Sequence, residues 1–245
     1  MKKANYFIYL LCLAALTVLV SCTENIATVQ SGWLQINKPL DDSLVHTRTT
    51  TGEIDYFVAI AHDGEVVMAP TLFSTIDGEI PLAEASDYIL TAENCTPAEA
   101  ESQPTVYGQP RYVGTETFDI TANTSTNVTV HCAMANAAFK VQKDTSFYYS
   151  SYVVTATCNE RCLTFTDEET MGYFNVATET TTTLNYDVVA TDADGNTGRG
   201  SGSLQLKARQ LSKLTLKANS LGVIELSINY DDTFTPTVHE IVLED

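Results

Sequence analysis

Short runs in which apolar and polar residues alternate are the feature that most constrains how this chain can fold. In Asn127–Cys132 and Leu214–Lys217 every second residue is apolar, the period of a strand that is buried on one face. Such runs recur from Gly32 to the end of the chain, and no stretch shows a sustained helical period. Their number and spacing predict an all-β fold of tandem antiparallel β-sandwiches rather than a parallel sheet.

Two Asp-Gly pairs mark expected hairpin turns. Each pair stands between two apolar-rich runs: Tyr56–Ala61 and Val66–Met68 flank Asp63-Gly64, and Thr71–Ile76 and Glu79–Leu82 flank Asp77-Gly78. Asp and Gly tolerate the positive φ of a two-residue turn, so each pair predicts a β-hairpin.

The N-terminus has the order of a bacterial lipoprotein signal. Lys2 and Lys3 precede the apolar run Tyr6–Val20, and Leu19-Val20-Ser21-Cys22 matches a lipobox that is cut between Ser21 and Cys22. The alternative is a transmembrane helix, but 15 residues reach only about 22 Å of a hydrocarbon core of roughly 30 Å. We therefore expect residues 1–21 to be a signal peptide, Cys22 to be lipidated, and residues 22–31 to tether the protein to the outer membrane.

Charge limits the partners of the mature chain. Residues 1–21 contain two of the 13 basic residues and none of the 31 acidic ones, so 11 basic and 31 acidic residues remain, a formal net charge of −20. A chain this acidic repels nucleic acid and anionic head groups. The expected contact with the membrane is therefore through the lipid alone.

The pattern also indicates two domains. The run Asn127–Cys132 resembles a closing strand, and the short junction Met134-Ala135-Asn136 is not linker-like. We place an N-terminal β-sandwich at residues 32–134 and a C-terminal one at 135–245. The most irregular stretch, Asn94–Pro110, reads as an exposed loop of a length that is often functional.

Cys12 leaves with the signal peptide and Cys22 is expected to carry lipid, so four cysteines keep free side chains: Cys95, Cys132, Cys158 and Cys162. Cys158 and Cys162 flank a turn-like triplet, and facing cysteines on paired strands lie within disulfide reach. A disulfide, two free thiols and half of a metal site all remain open, although C-x-x-x-C without convergent histidines is poor evidence for zinc.

No residue constellation specifies a chemistry. The four histidines have no ligand spacing, and Gly198–Gly202 lacks the lysine of a phosphate loop. Asp192, Asp194 and Asn196 resemble the start of a calcium loop, but a hairpin turn explains them better. Tyr148, Tyr149 and Tyr152 could form a sugar-binding platform or belong to the core. We expect no enzyme activity, no cofactor and no metal.

Several short motifs resemble those of a Bacteroidales lipoprotein family grouped as a domain of unknown function, similar in style to fimbrillins and minor-fimbrium anchoring lipoproteins. The matching segments are Leu19–Cys22, Gly32–Ile36, Asp87–Ala92, Gln109–Gly114, Phe118–Ile120, Val128–Asn136 and Gly222–Ile228. The resemblance implies transthyretin-like or Ig-like sandwiches and a surface adhesin or fimbrium-associated anchoring or accessory subunit. The implied partners are fimbrial subunits or host ligands. The alternative is a glycan-binding lipoprotein of a polysaccharide-uptake system, and a hydrolase is disfavoured because no acid-base pair can be named.

Overall fold

Strands make up almost all of the regular structure in this protein. The computed structural model describes residues 30–35, 54–177, 179–218, 224–231 and 239–241, which form four sheets and one short α-helix. The all-β expectation is confirmed. The signal segment, Cys22 and most of the tether lie outside the described residues. Within the described residues, no helix is long and apolar enough to cross a bilayer.

The first half of the chain forms two sheets. The strands are β1 (Ser31–Gln35), β2 (Phe57–His62), β3 (Glu65–Leu72), β4 (Glu79–Ala83), β5 (Ala85–Glu93), β6 (Tyr112–Ile120), β7 (Ser125–Asn127) and β8 (Val130–Met134). A three-stranded sheet has the order β4-β1-β7, and a six-stranded sheet runs β8-β6-β5-β2-β3 with one further strand beside β8.

The second half forms two four-stranded sheets. Its strands are β9 (Asn136–Lys143), β10 (Ser151–Cys158), β11 (Arg161–Phe165), β12 (Met171–Asn175), β13 (Thr181–Thr191), β14 (Thr197–Lys207), β15 (Leu211–Ala218) and β16 (Ile224–Asp231). The orders are β11-β10-β13-β14 and β12-β9-β15-β16. The final strand, β17 (His239–Ile241), is the one that pairs with β8.

Two separate apolar cores lie between facing sheets. In the first, Leu34 on β1 and Leu82 on β4 pack with residues of the six-stranded sheet such as Leu90. In the second, Phe139 on β9 packs edge-on against Phe165 on β11, with ring centroids 5.1 Å apart, and both side chains are fully buried. Each half therefore buries its own core between two layers.

Two of the four described sheets are mixed, which corrects the expectation of purely antiparallel pairing. β1 pairs parallel with β7, and β9 pairs parallel with β15. Adjacent strands in sequence need only a tight turn and pair antiparallel, whereas parallel partners need a long crossover. Several strands separate the members of each parallel pair, so their connections are long enough.

The first Asp-Gly pair forms the predicted hairpin and the second does not. β2 and β3 pair antiparallel around Asp63 and Gly64, whose φ angles are 50° and 79°. Before Asp77-Gly78, however, the expected strand Thr71–Ile76 ends at Leu72, and Phe73–Thr75 is a 3-10 turn. β4 pairs instead with β1, in the opposite sheet. Gly78 still has a φ of 74°, so the dipeptide makes a turn between sheets.

The junction between the halves is held by one buried amide. Asn136 is fully buried; its Oδ1 accepts from the backbone N–H of Arg111 at 3.1 Å, and its Nδ2 donates to the carbonyl of Gln109 at 2.8 Å. Its own carbonyl accepts from the backbone N–H of Arg209 at 3.0 Å. A buried amide with satisfied polar atoms fixes the chain path, because any displacement would leave those atoms unpaired.

Two segments depart from the expected organisation. β17 lies in the expected C-terminal domain but pairs with β8 of the six-stranded sheet. Within Asn94–Pro110, residues Pro97–Ser102 form a helix, α1, which begins with a capping box between Thr96 and Glu99. This stretch is therefore not a structureless loop. The carbonyl of Tyr107 accepts from the backbone N–H of Tyr173 at 2.9 Å, so the segment packs against the edge strand β12 of the second half.

Candidate interaction surface

The outer face of the six-stranded sheet carries several large apolar side chains that are exposed. On β2, Val58 and Ile60 point into the core, so Phe57, Ala59 and Ala61 alternate onto the other face. On β5, Ile89 occupies the same outer face, because its neighbours Tyr88 and Leu90 are buried.

Strand pairing places the large apolar side chains of this face close to one another. Phe57 pairs with Leu72 on β3, and Ala61 pairs with both Ile89 on β5 and Val66 on β3. Phe57, Leu72 and Ile89 are 37%, 37% and 41% exposed, and Val66 is 71% exposed. Paired neighbours lie about 5 Å apart, so Phe57 and Leu72 form one apolar group, and Ile89 and Val66 form a second group on either side of Ala61. The two groups share one sheet face and are about 13 Å apart along β2. We call Phe57, Val66, Leu72 and Ile89 the apolar face.

Acidic residues lie beside the apolar face. Glu93 on β5 pairs with Phe57, and Asp87, two residues before Ile89, donates its backbone N–H to the carboxylate of Asp119 on β6 at 2.9 Å. Arg111 is half-buried and pairs with Glu93 at 2.8 Å, so it neutralises one of these carboxylates locally. The rim therefore carries the same sign of charge as the whole chain.

A shallow cleft of about 590 Å³ lies where the segment after α1 meets the hairpin of β10 and β11. Arg161 spans it: its Nη2 donates to the carbonyl of Val106 at 2.7 Å, and its guanidinium lies 5.7 Å from the ring centre of Phe174. Burial lowers the pKa of Arg161, and the nearby carboxylate of Glu101 opposes that shift. Because these contacts join the two halves of the chain, we interpret the cleft as part of the structural contact between them.

The suggested aromatic platform is divided between surface and core. Tyr149 and Tyr152 are buried, whereas Tyr148 is 55% exposed. The rings of Tyr148 and Tyr149 stack with centroids 4.8 Å apart and planes 17° apart. Only Tyr148 is therefore available to a ligand.

The three residues with calcium-like spacing form the turn between β13 and β14. Asp192 Oδ1 accepts from the backbone N–H groups of Asp194 and Asn196 at 2.9 and 2.8 Å, and Asp192 Oδ2 accepts from Asn196 Nδ2 at 2.9 Å. Gly195 has a φ of 86°. The Asp192 carboxylate thus stabilises the turn itself. Among the described residues, no three His, Cys, Asp or Glu side chains are gathered as a metal site would require.

The hairpin that contains Cys158 and Cys162 has a register that separates them. Cys158 pairs with Arg161, and Cys162 pairs with Thr157, so the two sulfurs lie on opposite faces. Cys158 is buried and Cys162 is exposed, and both are free thiols. The premise that these cysteines face each other is therefore wrong, because the turn holds two residues rather than three.

We expect Cys162 to react with a maleimide in the native protein about 100-fold faster than the other three cysteines, because accessibility and thiolate character control thiol reactivity. Burial raises the pKa of Cys95 to about 11 and that of Cys132 to about 12, and it also raises the pKa of Cys158. Mass mapping of labelled peptides measures the rates, and Cys162→Ser is the control that removes the fast site. A Cys158–Cys162 peptide under non-reducing conditions would contradict this register.

The family assignment follows from the sequence as a whole. Residues 30–245 match the family model described as a domain of unknown function, DUF4493. This chain belongs to the DUF4493 family. No curated protein matches its sequence. The DUF4493 domain covers both cores and all four sheets described above. The expected membership of a domain-of-unknown-function family is confirmed, while the lipid anchor and the likeness to fimbrillins stay predictions.

Solved structures of candidate cell adhesion proteins are similar to this DUF4493 protein. One from Bacteroides uniformis shares 9% identity, covers 84% of this chain and 98% of its own, and has a TM-score of 0.49. One from Bacteroides eggerthii shares 10% identity over 85% and 96% of the two chains, also with a TM-score of 0.49. A candidate adhesin from Bacteroides ovatus shares 10% identity over 72% and 82%, with a TM-score of 0.36.

Sequence reasoning overlooked three features of the DUF4493 protein. The apolar face was not found because Phe57 and Ile89 sit in strands whose other residues are also apolar. The helix α1 carries a readable signal, Thr96-Pro97-Ala98-Glu99, which is a capping box with proline at the first helical position. The role of Asn136 has no local signal, because its partners are distant in sequence.

Proposed function

We propose that this DUF4493 protein is a non-enzymatic adhesin of two tandem β-sandwiches, anchored to the outer membrane through lipid on Cys22. In this role it binds another envelope protein, as an anchoring or accessory subunit of a fimbrium would. The lipid supplies attachment, and the folded part supplies recognition.

The apolar face is the observation that carries this proposal. Soluble monomers rarely leave contiguous apolar patches exposed unless the patch serves an interaction, and single exposed apolar residues need no explanation. Phe57 is paired with Leu72, and Ile89 and Val66 flank Ala61, so four exposed apolar side chains share one face of the sheet. A flat apolar centre with a polar rim is the anatomy of a protein–protein interface.

The negative charge of the rim and of the whole chain indicates which charge the partner surface should carry. The rim of the apolar face is acidic, and the expected mature chain has a net charge of −20. A partner surface with an apolar centre and basic rim would be attracted during encounter, whereas an acidic one would be repelled. Its association rate should therefore fall as ionic strength rises.

Replacing Ile89 with lysine is expected to weaken partner binding about 100-fold, because an ammonium group would be buried at the centre of the interface and would face a basic rim. Ile89 is already 41% exposed, so the free energy of unfolding should change by less than about 1 kcal/mol. Crosslinking on intact cells, with mass spectrometry of the captured partner, measures binding.

Val153→Lys is the matched control, because Val153 is a 42% exposed branched residue in the middle of β10, in a different sheet. The control should retain full crosslinking. Equal crosslinking by Ile89→Lys and the native protein would show that the apolar face is not the adhesive surface. Loss in both variants would point to a general effect of added positive charge.

A further inference from the structure

Tyr148 is an exposed ring that is held rigidly. It is 55% exposed, and the buried ring of Tyr149 lies stacked beneath it at 4.8 Å. A hydrogen bond between the two side chains also raises the pKa of Tyr149. Stacking and this hydrogen bond together restrict both side-chain torsions of Tyr148. One face of the ring is therefore presented to solvent in a single orientation, which lowers the entropy cost of binding.

The support beneath Tyr148 depends on a glycine. A Cβ at Gly198 would meet the hydroxyl of Tyr149 and lie 2.8 Å from its Cζ, so a larger residue would displace that ring. Phe147 contacts Tyr149 from another side, with ring centroids 5.4 Å apart. The glycine-rich stretch Gly198–Gly202 thus leaves space for aromatic rings to pack against β14.

Polar groups lie beside the ring. Ser150 is tied to the end of β13, because its backbone N–H and its hydroxyl both donate to the carbonyl of Thr191, at 2.9 and 2.8 Å. Thr191 leads directly into the turn that holds Asp192, Asp194 and Asn196. Asp194 and Asn196 are exposed there. Asp192 interacts electrostatically with Tyr149, so the carboxylate and amide groups of this turn, which can accept and donate hydrogen bonds, lie near the tyrosine pair.

We propose that Tyr148 and the adjacent turn Asp192–Asn196 form a binding site for a neutral hexopyranose unit of a glycan. The apolar C–H face of a pyranose matches a flat aromatic ring, and its hydroxyl groups match the carboxylate and amide groups next to it. Uronic and sialic acids carry a negative charge, which Asp192, Asp194 and the acidic chain repel. Neutral sugars are therefore the class that fits.

This site goes beyond the proposed adhesive role of the apolar face. It lies in the second half of the chain, beside the turn between β13 and β14, whereas the apolar face lies on the first-half sheet. The two surfaces can be tested separately, because Ile89→Lys leaves Tyr148 untouched. Loss of one activity with retention of the other distinguishes their failures.

The experiment measures binding of the whole exported protein to immobilised mannan, dextran and galactan, with polygalacturonate as the anionic comparison. We expect binding to at least one neutral polymer. Tyr148→Ala should weaken it about tenfold or more, while Tyr148→Phe, which keeps the ring, should stay within about threefold. Tyr230→Ala is the matched control, because Tyr230 is a 45% exposed tyrosine on β16, and its loss should change nothing.

Three results would overturn the proposal. The first is native affinity in Tyr148→Ala. The second is equal or tighter binding to polygalacturonate. The third is the absence of binding to all three neutral polymers at millimolar sugar concentration, because a site of this class saturates within that range.

Discussion

Replacing Cys22 with alanine is expected to abolish acylation completely and to leave uncleaved precursor in the cell. Lipoprotein processing transfers diacylglycerol to the thiol of this residue before the peptidase cuts, and no other cysteine in the chain follows a lipobox. Each buried methylene contributes about 0.8 kcal/mol to membrane affinity, so losing two or three acyl chains removes stable anchoring. Metabolic labelling with a tagged fatty acid, followed by fractionation, measures both effects.

Cys12→Ala is the control for this substitution. Cys12 lies inside the apolar run Tyr6–Val20 and leaves with the expected signal peptide, so the variant should be labelled and cut as the native chain is. Fatty-acid label that persisted on Cys22→Ala would refute the lipoprotein assignment. Loss of label in both variants would show that the apolar run itself had been damaged.

Replacing Gly114 with alanine is expected to destabilise the exported protein by about 3 kcal/mol, which lowers the melting temperature by roughly 6 to 12 °C. A methyl group at this position would lie 2.5 Å from the backbone carbonyl oxygen of His131 and 2.9 Å from Sγ of Cys132. Gly114 sits where β6 and β8 approach each other closely. A backbone atom cannot rotate aside, so strand β8 would have to move away from the first core.

Gly200→Ala is the control, because it also replaces a glycine within a strand by alanine, but its new methyl meets a flexible side chain. The methyl at Gly200 would contact the flexible Leu226 side chain at 3.0 Å rather than backbone. Adding a methyl also reduces the entropy of the unfolded chain, which partly offsets the contact. We therefore expect a change within about 1 kcal/mol, measured by thermal and urea unfolding. Equal losses in the two variants would mean that glycine flexibility, not close backbone approach, determines the effect.

Local chemistry was sufficient to predict many of the strands. Period-2 alternation is a property of a few consecutive residues, so the strand at Leu214–Lys217, within β15, could be predicted from the sequence alone. The hairpin at Asp63-Gly64 was predictable for the same reason, because positive φ at both turn residues selects this pair of residue types. The run Asn127–Cys132 was predicted as one strand but is interrupted at Val128-Thr129, and its two ends belong to β7 and β8 in different sheets.

Pairing partners could not be predicted in the same way. Asp77-Gly78 makes a turn in the structure, yet the strand that follows it, β4, pairs with β1 in the opposite sheet. The turn of the β10–β11 hairpin holds two residues rather than the expected three. Cys162 therefore lies at the surface and Cys158 in the core. Each of these outcomes depends on contacts between distant parts of the chain, because a turn residue determines local direction but not which strand edge is free.

By itself the sequence determined the strand content, the family, the acidic character of the chain and the expected lipid anchor, since each is carried by neighbouring residues or by composition. Only the tertiary structure decided that Phe57, Val66, Leu72 and Ile89 lie on the same face of one sheet, and that Gly198 leaves room for Tyr149 beneath Tyr148. The physical reason is the same in both cases. A binding surface is made of side chains that the pairing and packing of strands bring together. This proximity cannot be deduced from the residues that neighbour each side chain in the sequence.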